Sequence, residues 1–276
     1  MTLKQVDVRY RHQAATGKPL YVNNDEVRGV AGHVRGQLLA AADACRLASE
    51  ALLAIETIRA NDVRLDVCWS TDYPVTNERG EPVLGVCEYD HRGMPDTALI
   101  SVNPDLTRDN DGLLLGTLAH ELGHAIFDVP GWRTMSCQTG LFGLADEPIH
   151  RVFRLVTVSE EHLSAPLRKA GERDFCEWRA NEFMGSLLVP RDLLAARLRH
   201  HAQPLGLPLE GDPELGLMLF SERVFRIAAD VDRRRSDFKI AILLSNLAED
   251  FGVSPRFIAV RLVRYGLATD VQLGLG

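Results

Sequence analysis

The stretch from Leu118 to Ile126, Leu-Ala-His-Glu-Leu-Gly-His-Ala-Ile, constrains this chain more than any other. His120 and His124 stand four residues apart, so on a helix both imidazoles leave one face with Cβ atoms about 5–6 Å apart. Apolar residues recur around them at Leu114, Leu115, Leu118, Leu122, Ala125 and Ile126, a stripe wide enough to predict a buried helix. Two imidazoles and the Glu121 carboxylate are costly to bury there unless something coordinates or pairs them. A shared metal ion does so. Zinc held by two histidines needs a third protein ligand and an open position for water, and a neighbouring carboxylate can then take that water's proton. The pattern predicts a zinc-dependent peptidase site with one Zn2+ per chain, His120 and His124 as ligands and Glu121 as general base.

The third ligand does not follow at once. Phe127 and Pro130 stand where a longer zinc motif would place a glycine and a third histidine, and Pro130-Gly131 is expected to end the helix. The best source is the segment from Asp174 to Pro190, whose stripe of Phe175, Trp178, Phe183, Leu187 and Leu188 predicts a second apolar helix. Glu177 and Asn181 share one face of it. Glu177 can supply the third ligand, and Asn181 can hydrogen-bond the other ring nitrogen of a ligating histidine.

Those residues carry a family resemblance. His120-Glu121-Leu122-Gly123-His124, Glu177-Trp178-Arg179-Ala180-Asn181-Glu182-Phe183 and Leu187-Leu188-Val189-Pro190 resemble the ImmA/IrrE family of bacterial metallopeptidases. The resemblance covers roughly residues 98–190, with a weaker match near the C-terminus. It implies a gluzincin-like site on His120, His124 and Glu177 with Glu121 as base. It also implies a protein substrate, a helix-turn-helix repressor cut to release stress, mobile-element or defence genes. The activating signal stays open among metal influx, oxidation, a nucleic acid and a partner protein.

Composition narrows the class. At 276 residues, 46% hydrophobic and 25% charged, the chain is ordinary globular protein. No apolar run approaches the roughly 20 residues that span a bilayer, and Met-Thr-Leu-Lys-Gln-Val-Asp-Val-Arg-Tyr has no signal-peptide core, so a cytoplasmic protein without a membrane partner is expected. A net charge of −7 argues against whole-surface nucleic-acid binding. The five cysteines are odd in number and widely spaced, which predicts neither a disulfide framework nor a four-cysteine zinc site. Cys137, flanked by glycine, serine and threonine, is expected in a loop from which its thiolate could take the metal's open position as an inhibitory ligand. Cys176, about 100° round the helix from Glu177, is a poorer candidate.

The expected fold class is α+β: a mostly helical, zincin-like domain over residues 1–200 with a small, largely antiparallel sheet, then a helical region over 201–276 with a helix-turn-helix-like segment at 244–266. Residues 1–23 read as an extended arm, and Glu26 to Arg59 as a long support helix or two shorter ones. Val63–Trp69, Val83–Tyr89 and Ala98–Val102 read as strands, the last an edge to which an extended substrate could add. A helix is expected from Ile149 to Ala170, a short one from Asp192 to His200, and further ones over Pro213–Arg234, Asp237–Phe251 and Arg256–Tyr265. His200-His201 and Arg233-Arg234-Arg235 read as solvated surface. An alternative function is a DNA-binding regulator with a vestigial peptidase, contacting duplex DNA through Arg256, Arg261 and Arg264. Tyr89, His91 and Arg179 are the candidates for steadying a tetrahedral oxyanion.

Overall fold

The computed structural model describes residues 4–20, 22–39, 44–77, 79–141, 150–155, 172–207, 209–210, 226–227 and 233–268. The described chain divides into two compact units, one ending at Leu187 and one beginning at Leu188, earlier than the boundary expected after residue 200.

The first unit contains β1 (Lys4–Val8), α1 (Asn24–Leu38), α2 (Ser49–Leu53), β2 (Ile55–Ala60), β3 (Val63–Ser70), β4 (Gly85–Asp90), β5 (Thr97–Val102), α3 (Pro104–Thr107), α4 (Asp111–Phe127), α5 (Val129–Leu141), β6 (His150–Leu155) and most of α6 (Glu172–Leu188). Its six described strands form one sheet in the order β1-β2-β3-β5-β4-β6. The sheet is mixed: β1 runs parallel to β2 and β3 to β5, while the other three pairings are antiparallel. The fold class is therefore α+β, but not with the largely antiparallel sheet expected.

Several local expectations change with it. The arm at the N-terminus contains a sheet strand, β1. The support helix stops at Leu38, and Ile55–Ala60 is a strand in which Ile55, Thr57, Ile58 and Ala60 are buried. β5 is an interior strand between β3 and β4, so no peptide can add to its edge. The strand β6 stands at the head of the segment expected to be a helix from Ile149, the remainder of which lies outside the described residues.

Helix α1 starts in a capping box, Asn23 accepting from the Glu26 amide while the Glu26 carboxylate accepts from the Asn23 amide. It supports the site through two arginines. Arg28 Nε donates to the buried Glu182 of α6 at 2.7 Å. Arg35, itself buried, donates to the carbonyl oxygens of Leu187, Ala44 and Cys45 at 2.5–2.6 Å, satisfying a carbonyl of the last turn of α6.

Helix α4 begins where Asn110 accepts from the Leu113 amide and is buried from Leu115 to Phe127. It packs on β4 and β5. Thr117 and Glu121 press against Gly85 of β4, where a Cβ would come within 2.6 Å of Thr117 Cγ2 and 3.0 Å of Glu121 Oε1. Gly123 meets α6, where a Cβ would lie 3.0 Å from Ala180 Cα. Both glycines are needed for close approach of backbone to helix.

The second unit contains α7 (Arg191–Ala202), β7 (Leu209–Glu210), β8 (Arg226–Ile227), α8 (Arg233–Phe251) and α9 (Pro255–Arg264). β7 and β8 pair antiparallel, so Arg226–Ile227 is a strand where a helix from Pro213 to Arg234 was expected; most of that segment lies outside the described residues. α8 packs on α7 and α9. Arg197 and His201 of α7 both reach the Asp250 carboxylate of α8, at 2.6 and 2.7 Å, so His201 is a hydrogen-bond partner of Asp250 and not bare surface. No described helix is long and apolar enough to cross a membrane.

Candidate metal centre

The helices α4 and α6 bring His120, His124 and Glu177 together. The two Nε2 atoms are 3.1 Å apart, and Glu177 Oε2 lies 3.4 Å from His120 Nε2 and 3.8 Å from His124 Nε2. Tetrahedral zinc with ligands at about 2.0–2.1 Å puts its ligand atoms roughly 3.3 Å from one another, so these three atoms have the spacing and the chemistry of one metal's donor set. Among the described residues this is the group able to hold a metal ion. Both imidazoles are fully buried while the Glu177 side chain is 29% exposed, so the group opens to solvent on the α6 side.

Each histidine is held from behind. His120 Nδ1 lies 3.2 Å from Asn181 Oδ1, the contact expected from the four-residue spacing of Glu177 and Asn181. His124 Nδ1 lies 2.9 Å from Asp128 Oδ2, and Arg179 donates to the other oxygen of Asp128 at 2.5 Å. Asp128 did not enter the reading of the sequence. Its signal was there, four residues after His124, but Pro130-Gly131 drew the expected helix end towards it. In fact α4 ends at Phe127, and Pro130 falls in the first turn of α5, where proline's missing amide costs nothing.

Burial and charge act in opposite directions on these groups. Burial draws the His120 imidazole below its usual range. Burial does the same to His124, but the hydrogen bonds and charges of Asp128 and Glu177 outweigh it and push that ring up to about 10. Burial would raise Glu177, yet the two imidazoles hold its carboxyl well below the usual carboxylate range. Together the three favour a positive charge between them.

Glu121 is different. Its carboxylate is fully buried and neither oxygen has a hydrogen-bond partner. Burial pushes it up to about 8, with His124 opposing and Glu177 adding to the shift. Buried polar atoms are nearly always paired, so a carboxylate left bare beside a metal-ligand group calls for a chemical reason.

Comparison with known protein families, with curated proteins and with solved structures gave no match to this chain.

The other candidate residues fall elsewhere. Cys137 is exposed on α5 and not in a loop, and it does not belong to the His120–His124–Glu177 group. Cys176 is buried with its sulfur 3.1 Å from Arg179. Arg179 is engaged at Asp128, on the side of His124 away from Glu177, and the Tyr89 hydroxyl donates to the Pro95 carbonyl at 3.0 Å with His91 Nδ1 at 3.5 Å. None of the three stands ready for an oxyanion. In the second unit Arg261 is fully buried with its guanidinium 4.3 Å from the Tyr265 ring centroid, so it is not a DNA contact; Arg256 is exposed and Arg264 half-buried. The side chains of Arg233, Arg234 and Arg235 lie outside the described residues.

Proposed function

We propose that the protein is a cytoplasmic zinc-dependent endopeptidase of ImmA/IrrE type, acting on a helix-turn-helix repressor. The observation that carries the peptidase reading is the Glu121 carboxylate, sealed from water and unpartnered beside three convergent ligand atoms. A purely structural metal site has no use for such a group. The substrate class rests on the sequence resemblance alone.

His120, His124 and Glu177 would hold the metal, with Asn181 and Asp128 fixing the two rings so that Nε2 of each faces inward. Zinc, when bound, lowers the pKa of water towards about 7 and polarises the scissile carbonyl. Glu121 takes a proton from the attacking water and returns it to the leaving amine nitrogen. Its bareness suits this, since no competing hydrogen bond has to break. Glu177 stands at the exposed side of the group, the side from which a peptide would approach.

The test is to incubate the zinc-loaded protein with candidate repressors from neighbouring genes and to read cleavage by mass spectrometry. Wild type should cut one repressor once or a few times, Glu121→Gln should keep zinc and lose cleavage, and His124→Ala should lose both. Undiminished cleavage by Glu121→Gln removes the general-base assignment. Failure of the wild type to bind zinc removes the peptidase reading altogether.

A further inference from the structure

The β1 end of the sheet carries two exposed arginines, Arg9 and Arg59, and among the described residues neither makes a side-chain hydrogen bond or ion pair. Arg59 of β2 stands beside Asp7 of β1 and, on its other side, directly opposite Arg64 of β3, a like-charge pairing that weakens a sheet. Arg9 follows β1 by one residue, and the pairing runs on around it: the Asn61 amide donates to the Val8 carbonyl, and Asn61 Oδ1 accepts from the Tyr10 amide. Arg9 therefore keeps the face of Asp7, two residues along the strand. The Asp7 carboxylate accepts from Gln5 Nε2 at 3.0 Å rather than from either arginine. Both arginines line a groove of about 950 Å3, open to solvent, whose opposite wall is α1 with Glu26, Gly29 and His33. Glu26 is already taken by Arg11, whose Nε and Nη2 both donate to it. Gly29 leaves that wall bare: it is exposed, and a Cβ there would meet nothing within 4 Å. Glycine is the poorest helix former after proline, so α1 gains no stability from it at an open position. None of His120, His124 and Glu177 lines the groove.

We infer that this groove docks an extended acidic segment of a partner protein, with carboxylates on every second residue. Arg59 and Arg9 are diagonal neighbours across β2 and β1, roughly 8 Å apart at the backbone from a strand spacing of about 4.8 Å and two rises of about 3.3 Å. In an extended peptide, alternate residues leave the same side about 6.6 Å apart, so Glu-x-Glu or Asp-x-Asp can set one carboxylate on each guanidinium. Adjacent acids leave opposite sides and reach only one. The segment lies on side chains and not as a further strand, because the outward amide and carbonyl of Asp7 are already bonded to Gln37. A groove open to solvent does not enclose a small molecule as ligand pockets do. A continuous phosphate backbone fits poorly, since the groove keeps the carboxylates of Asp7 and Glu26 and the chain carries a net charge of −7. The docking surface stands without the peptidase reading.

The experiment is fluorescence polarisation of the full chain at low salt with end-blocked peptides carrying an uncharged dye: Gly-Ser-Glu-Ser-Glu-Ser-Gly, its isomer Gly-Ser-Glu-Glu-Ser-Ser-Gly, and the glutamine form Gly-Ser-Gln-Ser-Gln-Ser-Gly. Exposed ion pairs are individually weak, so saturable binding of the first is expected at about 0.1–1 mM. The isomer, which can use one pair only, should bind about threefold more weakly, and the glutamine form without saturation. Arg9→Gln and Arg59→Gln should each weaken the first peptide about threefold and bring it level with the isomer. Gly29→Leu fills the groove from a position with open space, so it should raise the melting temperature and still block binding. No saturable binding of the first peptide, equal binding of the two isomers, or binding that any of the three variants leaves unchanged overturns the site. A single-stranded deoxythymidine decamer that displaces the peptide at lower concentration would assign the groove to nucleic acid and overturn it as well. Cleavage enters none of these readouts, so failure of the peptidase test and failure of this one are distinguishable.

Discussion

Asp128 Oδ2 lies 2.9 Å from His124 Nδ1, and this contact decides which nitrogen of His124 faces Glu177. Burial alone would raise Asp128, but the hydrogen bond from His124 and the charge of Arg179 hold it below the usual range, so it is an acceptor only. Nδ1 therefore carries the hydrogen, and when the ring is neutral the lone pair is on Nε2, towards His120 and Glu177. Asp128→Asn keeps the size and removes the charge. Zinc affinity should fall 10- to 100-fold, measured by competition with a chromophoric chelator, while the fold persists. Equal affinity in the variant would mean that packing alone orients the ring.

Zinc uptake should release protons. At pH 7 the metal-free His124, with its ring pushed up to about 10, is protonated, and Glu121, at about 8, is mostly neutral. A dication at the group displaces the first proton and favours loss of the second. Calorimetry in buffers of different ionisation enthalpy should show between about one and two protons released per zinc at pH 7. Zinc binding with no dependence on buffer would contradict the charge balance described for the site.

The metal-free fold should weaken as pH rises above about 6.5, where the opposing contribution of His120, drawn below its ordinary value by burial, is complete. Glu121 has a folded value of about 8 against 4.5 for the ordinary group, so its contribution is complete below about pH 4.5 and is lost as pH climbs through 8. His124 acts in the same direction between 6.5 and about 10. Glu121→Gln removes the first contribution, worth on the order of a few kcal/mol for a fully buried carboxyl. In denaturant melts of zinc-free protein, the advantage of Glu121→Gln over wild type should grow between pH 5 and 8. A constant difference across that range would show that Glu121 does not titrate as its burial demands.

The close approaches at two glycines make a steric prediction. Gly85→Ala drives a methyl group against Thr117 and Glu121, and Gly123→Ala drives one against the backbone of Ala180. Each should cost about 1–3 kcal/mol in chemical unfolding. The two should differ in their effect on the site: Gly85→Ala displaces the carboxylate and lowers turnover with zinc retained, whereas Gly123→Ala separates α4 from α6 and weakens zinc binding. Zinc affinity unchanged by Gly123→Ala would mean that Glu177 can follow His120 and His124 without that contact.

What could be read from the sequence was local. The three-residue gap between His120 and His124 places both rings on one helical face whatever the fold, and the same spacing relates Glu177 to Asn181. The strands β3, β4 and β5 and the helices α7 and α9 follow equally from short-range pattern. Asp128 lay within the same reach and was obscured by a proline that only begins the next helix.

The rest depended on distant partners. Ile55–Ala60 reads as the tail of a helix until β1 and β3 claim it on either side, because short apolar runs suit either conformation and pairing decides. Whether β5 is an edge, whether Arg261 reaches solvent, and whether Phe175 and Trp178 are covered are likewise properties of what packs against them. Sequence by itself determined which side chains could act as ligands and base, since backbone periodicity fixes the face from which they leave. The tertiary structure decided that Glu177 meets the two histidines and that Glu121 stands bare, because residues far apart in the chain converge only when buried surface holds their helices together.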